Sequence, residues 1–228
     1  LDVDVAGAEA VAAGLGRAAR AFACDVADGA AVRAAVEAAH AACGRLDVVV
    51  NNAGVSHRNR PLLEVEEAEF DRVFAVNVKS IYHMTRATVP LMRAQGHGRI
   101  LFNSSVLGFI PAKYRGAYIA TKYAVEGYCA TLRLELRGSG VHAVSIQPGP
   151  IATAFRANAI KQFERWIDPE ASPHRAELAA IRRRYGGEGG ANPFTLGPEA
   201  VTRRLIHAVE SRRPRARYYV TTPTYVVA

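Results

Sequence analysis

Methionine, tryptophan and cysteine are scarce in this chain: two, one and three among 228 residues. Cys24, Cys43 and Cys129 are odd in number and lack Cys-x-x-Cys or zinc-ligand spacing. That excludes a disulfide framework and points to reduced thiols and a cytoplasmic location. The seven histidines are scattered, without a His-Glu-x-x-His grouping, so no metal is expected. No apolar run approaches the roughly 18–20 residues of a membrane span, and no basic-then-apolar leader opens the sequence. No integral membrane segment is therefore expected. Lysine is also sparse, so the net charge of +8 rests mostly on arginine, much of it at Arg182–Arg184, Arg203–Arg204 and Arg212–Arg217. These clusters are not interleaved with aromatic stacking residues and match no nucleic-acid-binding motif. They read as a solvated basic face, with no nucleic acid as partner.

What is present is an alternation of helical stretches with short β-branched runs, the pattern of an α/β parallel sheet in a single domain spanning 1–228. Residues 5–17 and 29–43 are Ala-rich and read as helices, with a short strand at Ala21–Cys24 between them. Leu46–Val50 and Arg99–Asn103 read as strands covered on both faces. A long amphipathic stretch spans Glu66–Ala94, a helix runs from Ala117 to about Arg137, and Val141–Ile146 is a further strand. Pro198–Glu199 opens a last helix, and Tyr218–Val220 reads as an edge strand. Residues 151–197 set large apolar residues (Phe155, Ile160, Phe163, Trp166, Ile167, Phe194) among charges and read as a small substrate lobe.

Chemistry concentrates in Tyr118-Ile119-Ala120-Thr121-Lys122. Residues four apart on a helix share a face, so a phenol and an ammonium stack one above the other. A phenol titrates near pH ~10, too high for proton transfer at neutral pH, and a neighbouring cation favours its ionised form. By itself this spacing is weak grounds for a site, because Tyr is common here. Its company is more specific. Asn51-Asn52-Ala53-Gly54, Asn77, Ser105, Tyr118-x-x-x-Lys122 and Pro148-Gly149 fall in order, with Ser105 thirteen residues before Tyr118. In this the chain resembles the short-chain dehydrogenase/reductase family, most strongly from about Ala21 to Thr153.

The resemblance implies a Rossmann-like, doubly wound parallel sheet and a nicotinamide cofactor, NAD or NADP. It implies Tyr118 as general acid/base in hydride transfer, Lys122 as holder of the nicotinamide ribose and tuner of Tyr118, and Ser105 as partner of the substrate oxygen. Asn77 would hold a water linking Lys122 to solvent. Asn51, Ala53 and Gly54 resemble the segment beside the adenosine ribose. Asp25 would accept from the adenine amino group, and Val26 would pack on its ring. Pro148, Gly149, Ile151 and Thr153 resemble the segment that meets the nicotinamide. The expected substrate is a small alcohol or ketone, lipophilic to judge from residues 151–197. The family's habit of pairing through this helix implies a homodimer or homotetramer, for which Ala124, Tyr128, Leu132 and Leu136 offer an apolar row; core packing explains that row equally well.

One family feature has no counterpart. The Gly-rich phosphate loop Thr-Gly-x-x-x-Gly-x-Gly is absent. Gly14-Leu15-Gly16 and Gly138-Ser139-Gly140 close helices and precede strands, the reverse of what pyrophosphate binding needs. The sequence therefore reads as an N-terminally incomplete chain whose first strands are missing from the order 3-2-1-4-5-6-7. Asp2 falls near the adenosine ribose, where a carboxylate would favour NAD. The alternative expectation is a non-catalytic member of the fold, or a fragment that does not bind cofactor.

Overall fold

The computed structural model of the chain describes residues 1–16, 18–153 and 193–228, with residues 158, 161, 175, 176, 178, 179 and 183 between them. Four strands, β1 (Val48–Asn51), β2 (Gly98–Asn103), β3 (Val141–Gln147) and β4 (Arg217–Tyr219), pair in the order β1-β2-β3-β4. Every pairing is parallel: Val50 lies opposite Leu101, Leu101 opposite Val144, and Ile146 opposite Tyr218. Parallel neighbours cannot be joined by hairpins, so the connections are helical crossovers. Among the described residues, the α-helices whose bounds are defined are, in chain order, α1 (Val5–Leu15), α2 (Gly29–Cys43), α3 (Glu67–Phe74), α4 (Ser80–Gln95), α5 (Gly116–Glu135), α6 (Glu199–Glu210) and α7 (Thr222–Val227).

Strand alternation splits the core into two layers. Ile100 and Phe102 of β2 face Ile81 and Met92 of α4 and Val125 and Cys129 of α5. Leu101 turns the other way, to join Val144, Ile146, Tyr218 and Ala200 and Ala208 of α6. Helices thus cover both faces of β2 and β3, which explains why these strands read as continuous apolar runs. Each fully buried Phe or Leu side chain in these layers contributes roughly 1.5–3 kcal/mol. Tyr128, Leu132 and Leu136 of α5 pack on the first layer, so that apolar row belongs mainly to the core.

Local signals set the ends. Asp28 caps α2 by accepting from the N–H groups of Ala30 and Ala31, and Gly44 closes it in the left-handed region at φ 71°. Gly96 closes α4 in the same way at φ 75°. The expected helix over Glu66–Ala94 is two helices joined by a π-helical turn at Ala75–Lys79. Such single turns are rare and cluster at functional sites.

Two expectations change at the N-terminal side. Ala21–Cys24 is not a strand of the sheet but a single parallel bridge between Asp2 and Ala23, made by Asp2 N–H to Phe22 O (3.2 Å) and Cys24 N–H to Asp2 O (2.9 Å). A strand needs a paired neighbour, and only one residue here has one. Helix α1, capped by Asp4, buries none of its residues. The outer edge of β1 has no strand on it among the described residues, leaving Val48 and Val50 at 36% and 47% exposure. That is the edge which the first strand of the expected order would pair. The lobe expected over 151–197 lies largely outside the described residues; its ends meet where Ile151 bridges Leu196.

Candidate active site

The carboxyl ends of β1, β2 and β3 deliver Asn51–Gly54, Asn103–Ser105 and Gln147–Gly149 to one side of the sheet. Open α/β sheets bind ligands there. Ser104 N–H donates to Ile146 O (2.9 Å) and Val106 N–H to Pro148 O (2.8 Å), which lock the ends of β2 and β3 together. Ser105 begins a 3₁₀ turn, Val106–Gly108, its hydroxyl accepting from Leu107 N–H at 3.1 Å. Helix α5 starts at Gly116 and carries Tyr118 and Lys122 down one face toward these strand ends.

Four expected site residues come together. The Tyr118 phenol lies near enough to the Ser105 side chain to be influenced by it. Lys122, 8% exposed, donates from Nζ to Asn103 O at 2.8 Å and lies 5.5 Å from the centroid of the Tyr118 ring. Asn77 is buried at the π-helical turn: its Nδ2 donates to Val55 O (2.9 Å) and Thr121 Oγ1 (3.0 Å), and its Oδ1 accepts from Val55 N–H (2.8 Å). Thr121 in turn donates to Tyr118 O at 2.6 Å. Asn77 therefore clamps the segment after β1 to the helix carrying Tyr118. Its side-chain amide is engaged by Val55 and Thr121.

Burial pushes the Tyr118 phenol above its ordinary value; the Arg115 guanidinium and the Ser105 side chain pull it back only partly. Lys122 is not among the groups that lower it. The Lys122 ammonium lies over the ring and gives its hydrogen bond to Asn103 O. Burial lowers the Lys122 pKa to about 8, opposed by the Glu126 carboxylate one turn further along α5. Arg115 and Glu126 are the residues that sequence reasoning missed. The signal for Glu126 was available, because it repeats the four-residue spacing of Tyr118 and Lys122.

The cofactor-side residues are less unified. Asp25 and Val26 belong to the turn before α2: Asp25 Oδ1 accepts from Ala27 N–H at 2.9 Å, and Val26 packs on the Cys24–Val32 cluster. Asn52 accepts at Oδ1 from Asn103 Nδ2 at 2.7 Å, and the buried Asn103 Oδ1 has no protein partner. A Cβ on Gly54 would meet Asn77 Oδ1 at 3.4 Å, an ordinary contact, so the chain itself does not demand glycine there. Gly149 differs. A Cβ there would collide with the hydroxyls of Thr221 and Thr224, both fully buried. Ile151 and Thr153 follow at the mouth of the lobe. Among the described residues no group of three His, Cys, Asp or Glu is placed to hold a metal ion, and no helix is long and apolar enough to cross a membrane.

Residues 1–164 match the family model for short chain dehydrogenase. The chain is 37% identical over 179 residues to the uncharacterized oxidoreductase YbbO of Escherichia coli strain K12, covering 78% of this chain and 60% of that protein. It is 38% identical over 203 residues to D-threitol dehydrogenase of Mycolicibacterium smegmatis, covering 88% and 75%. Its fold superposes on a 3-ketoacyl-(acyl-carrier-protein) reductase from Brucella melitensis complexed with NADH, with a TM-score of 0.76 at 28% identity, covering 96% of this chain and 84% of the other. The chain thus spans about three-fifths of its E. coli relative's length. With a four-stranded parallel sheet, its helices on both faces and its strand ends gathered around Tyr118, this chain belongs to the short-chain dehydrogenase/reductase family of oxidoreductases.

Proposed function

We propose that this chain carries the reacting centre of a nicotinamide-dependent dehydrogenase or reductase acting on a small, lipophilic alcohol or ketone, with Tyr118 as general acid/base. The observation that carries the reading is the Tyr118 phenol beside Ser105, with the Lys122 ammonium 5.5 Å from its ring centroid, at the strand ends. Donor chemistry supports a nicotinamide ribose. An ammonium has three N–H donors, and Lys122 gives one to Asn103 O, leaving two suited to a vicinal diol. Tyr118 and the segment Pro148–Thr153 would meet the nicotinamide half, while Asn51, Ala53 and Gly54 would lie beside the adenosine ribose with Asp25 and Val26 toward the adenine. Asp2 in its bridge to Ala23 lies on that side, and its carboxylate favours NAD.

When bound, the cofactor supplies or accepts the hydride. In reduction, Tyr118 gives its phenolic proton to the substrate oxygen while the Ser105 hydroxyl donates a hydrogen bond to that oxygen and orients it. In oxidation the alcohol proton returns to the phenolate. Burial that raises the phenol keeps it protonated at neutral pH, the form needed for carbonyl reduction. Arg115 stabilises the phenolate left behind. Leu62, against the start of α5, and the exposed Leu63 and Tyr114 offer an apolar approach to a lipophilic substrate.

Fluorescence titration of the full chain with NADH and NADPH, followed by turnover of an alcohol and ketone panel, tests the reading. Tyr118→Phe should lose at least about a thousandfold in kcat while binding cofactor nearly as wild type. Binding of neither nucleotide, or turnover unharmed in Tyr118→Phe, would sink it.

A further inference from the structure

Helix α5 is entered through a turn that strains its sequence. Tyr114 stands at φ 65°, the only positive φ outside glycine among the described residues. Residues with a Cβ avoid that region, a bulky aromatic most of all, whereas glycine enters it freely. Packing does not offset the strain, because Tyr114 is 54% exposed and stands outside the apolar core clusters. Residues held in this way gather at ligand clamps and active sites.

The turn is fastened to a second exposed element. Tyr114 O accepts from Arg60 N–H at 3.3 Å, which ties it to the segment that follows β1. That segment is itself held at several points: Arg58 N–H donates to Glu69 Oε1 (2.7 Å), Arg72 Nη2 to Ser56 O (3.1 Å) and Arg60 Nη1 to Glu64 O (3.1 Å). Two residues beyond Arg60, Leu62 seats on α5 at Gly116, where an added Cβ would lie 2.5 Å from Leu62 Cδ1. Leu62 stays exposed nonetheless, and Leu63 beside it is 99% exposed. Apolar side chains displayed on fastened backbone mark a surface kept for contact. Their place says which contact. Tyr114 and Gly116 stand four and two residues before Tyr118, so the apolar strip runs up to the end of α5 that carries the phenol. Small-molecule sites have this build: a few polar groups fix the reacting atoms, and apolar surface takes the remainder of the ligand.

We propose that Tyr114 is a specificity-determining residue: its ring, with Leu62 and Leu63, is the platform for the apolar arm of a ketone or alcohol whose oxygen meets Tyr118. This rests on the reading of Tyr118 as the reacting phenol. The strained backbone holds the ring out toward the ligand rather than in toward the core.

Two ketones with the same reacting group, methyl ethyl ketone and methyl hexyl ketone, differ only in the arm and serve as probes of the full chain with NADH or NADPH. Tyr114→Gly supplies the residue that this backbone conformation favours, so its urea midpoint stays level or rises. In that variant KM for methyl hexyl ketone rises about tenfold more than KM for methyl ethyl ketone, the change lying in KM rather than kcat. An equal loss on both ketones, or no change on either, overturns the proposal. So does an unmoved KM with a changed oligomeric mass in light scattering, which gives the strip to a second copy of the chain. Saturation-transfer NMR of the hexyl protons reads the same contact without turnover. If the wild type reduces neither ketone, the reading of Tyr118 falls, and a weaker signal in Tyr114→Gly still upholds the platform; an absent or unchanged signal overturns it.

Discussion

Replacing Lys122 by methionine keeps the length and the apolar stem of the side chain and removes only its charged tip. Burial lowers the Lys122 pKa from the ordinary 10.5 to about 8, and that gap is worth about 3 kcal/mol. The sign follows from proton counts. Between about pH 8 and 10.5 the folded chain has released a proton that the unfolded chain retains, so Lys122 makes the fold more stable as pH rises through that window. Below it both states are protonated and the full cost of a buried ammonium persists. Lys122→Met lacks this dependence. It also loses the hydrogen bond to Asn103 O, a penalty of about 1 kcal/mol that does not vary with pH. The stability of the variant relative to wild type should therefore fall by about 3 kcal/mol between pH ~7.5 and ~10.5, whatever its sign at the lower end. Urea denaturation of both proteins at half-unit pH steps, followed by circular dichroism, measures it; groups common to both cancel in the difference. Parallel stability curves would refute the reasoning, because they would mean that Lys122 is not a desolvated ammonium.

Two further outcomes are expected. Gly140 sits at φ 77°, and a Cβ there would drive into Gly96 O, so Gly140→Ala should cost about 2–4 kcal/mol in urea melts, with an unchanged site once folded. Of the three thiols, Cys43 is exposed while Cys24 and Cys129 are buried, and burial with the Glu126 carboxylate pushes Cys129 up to about 12. A disulfide reagent at pH 8 should modify one thiol quickly and the other two only at the rate of unfolding; rapid reaction of all three would contradict the packing.

Much of the architecture was legible because short-range chemistry dictates it. Asp28, Gly44 and Gly96 mark helix ends through cap bonds and left-handed φ, and the apolar run at 99–102 is a strand that helices cover on both faces, whereas the run at 48–50 forms a strand with only Val49 packed on the core and Val48 and Val50 exposed. Ala21–Cys24 misled because a strand is defined by its neighbour, and only Asp2 is there to pair. Asn77, Ser105, Tyr118 and Lys122 were legible from spacing, and the structure brings these four residues together at the strand ends. What spacing does not encode is direction. Lys122 gives its hydrogen bond to Asn103 O, and Asn77 spends its amide on Val55 and Thr121. Glycine roles were hidden for the same reason: Gly149 is required by threonines far along the chain, whereas Gly54 is not required by the chain at all.

The contact at Gly149 has a mechanical meaning. Thr221 and Thr224 hydrogen-bond each other at 2.9 Å, fully buried, and lean into the segment that follows β3. Helix α7 begins at this point, so the last turn of the described chain is keyed into the wall beside the candidate site. A ligand that braces residues 148–153 must also brace α7, and by thermodynamic reciprocity anything that loosens α7 weakens that ligand's hold by the same factor. Amide exchange along residues 222–227 would then serve as a remote gauge of occupancy at the far end of the sheet.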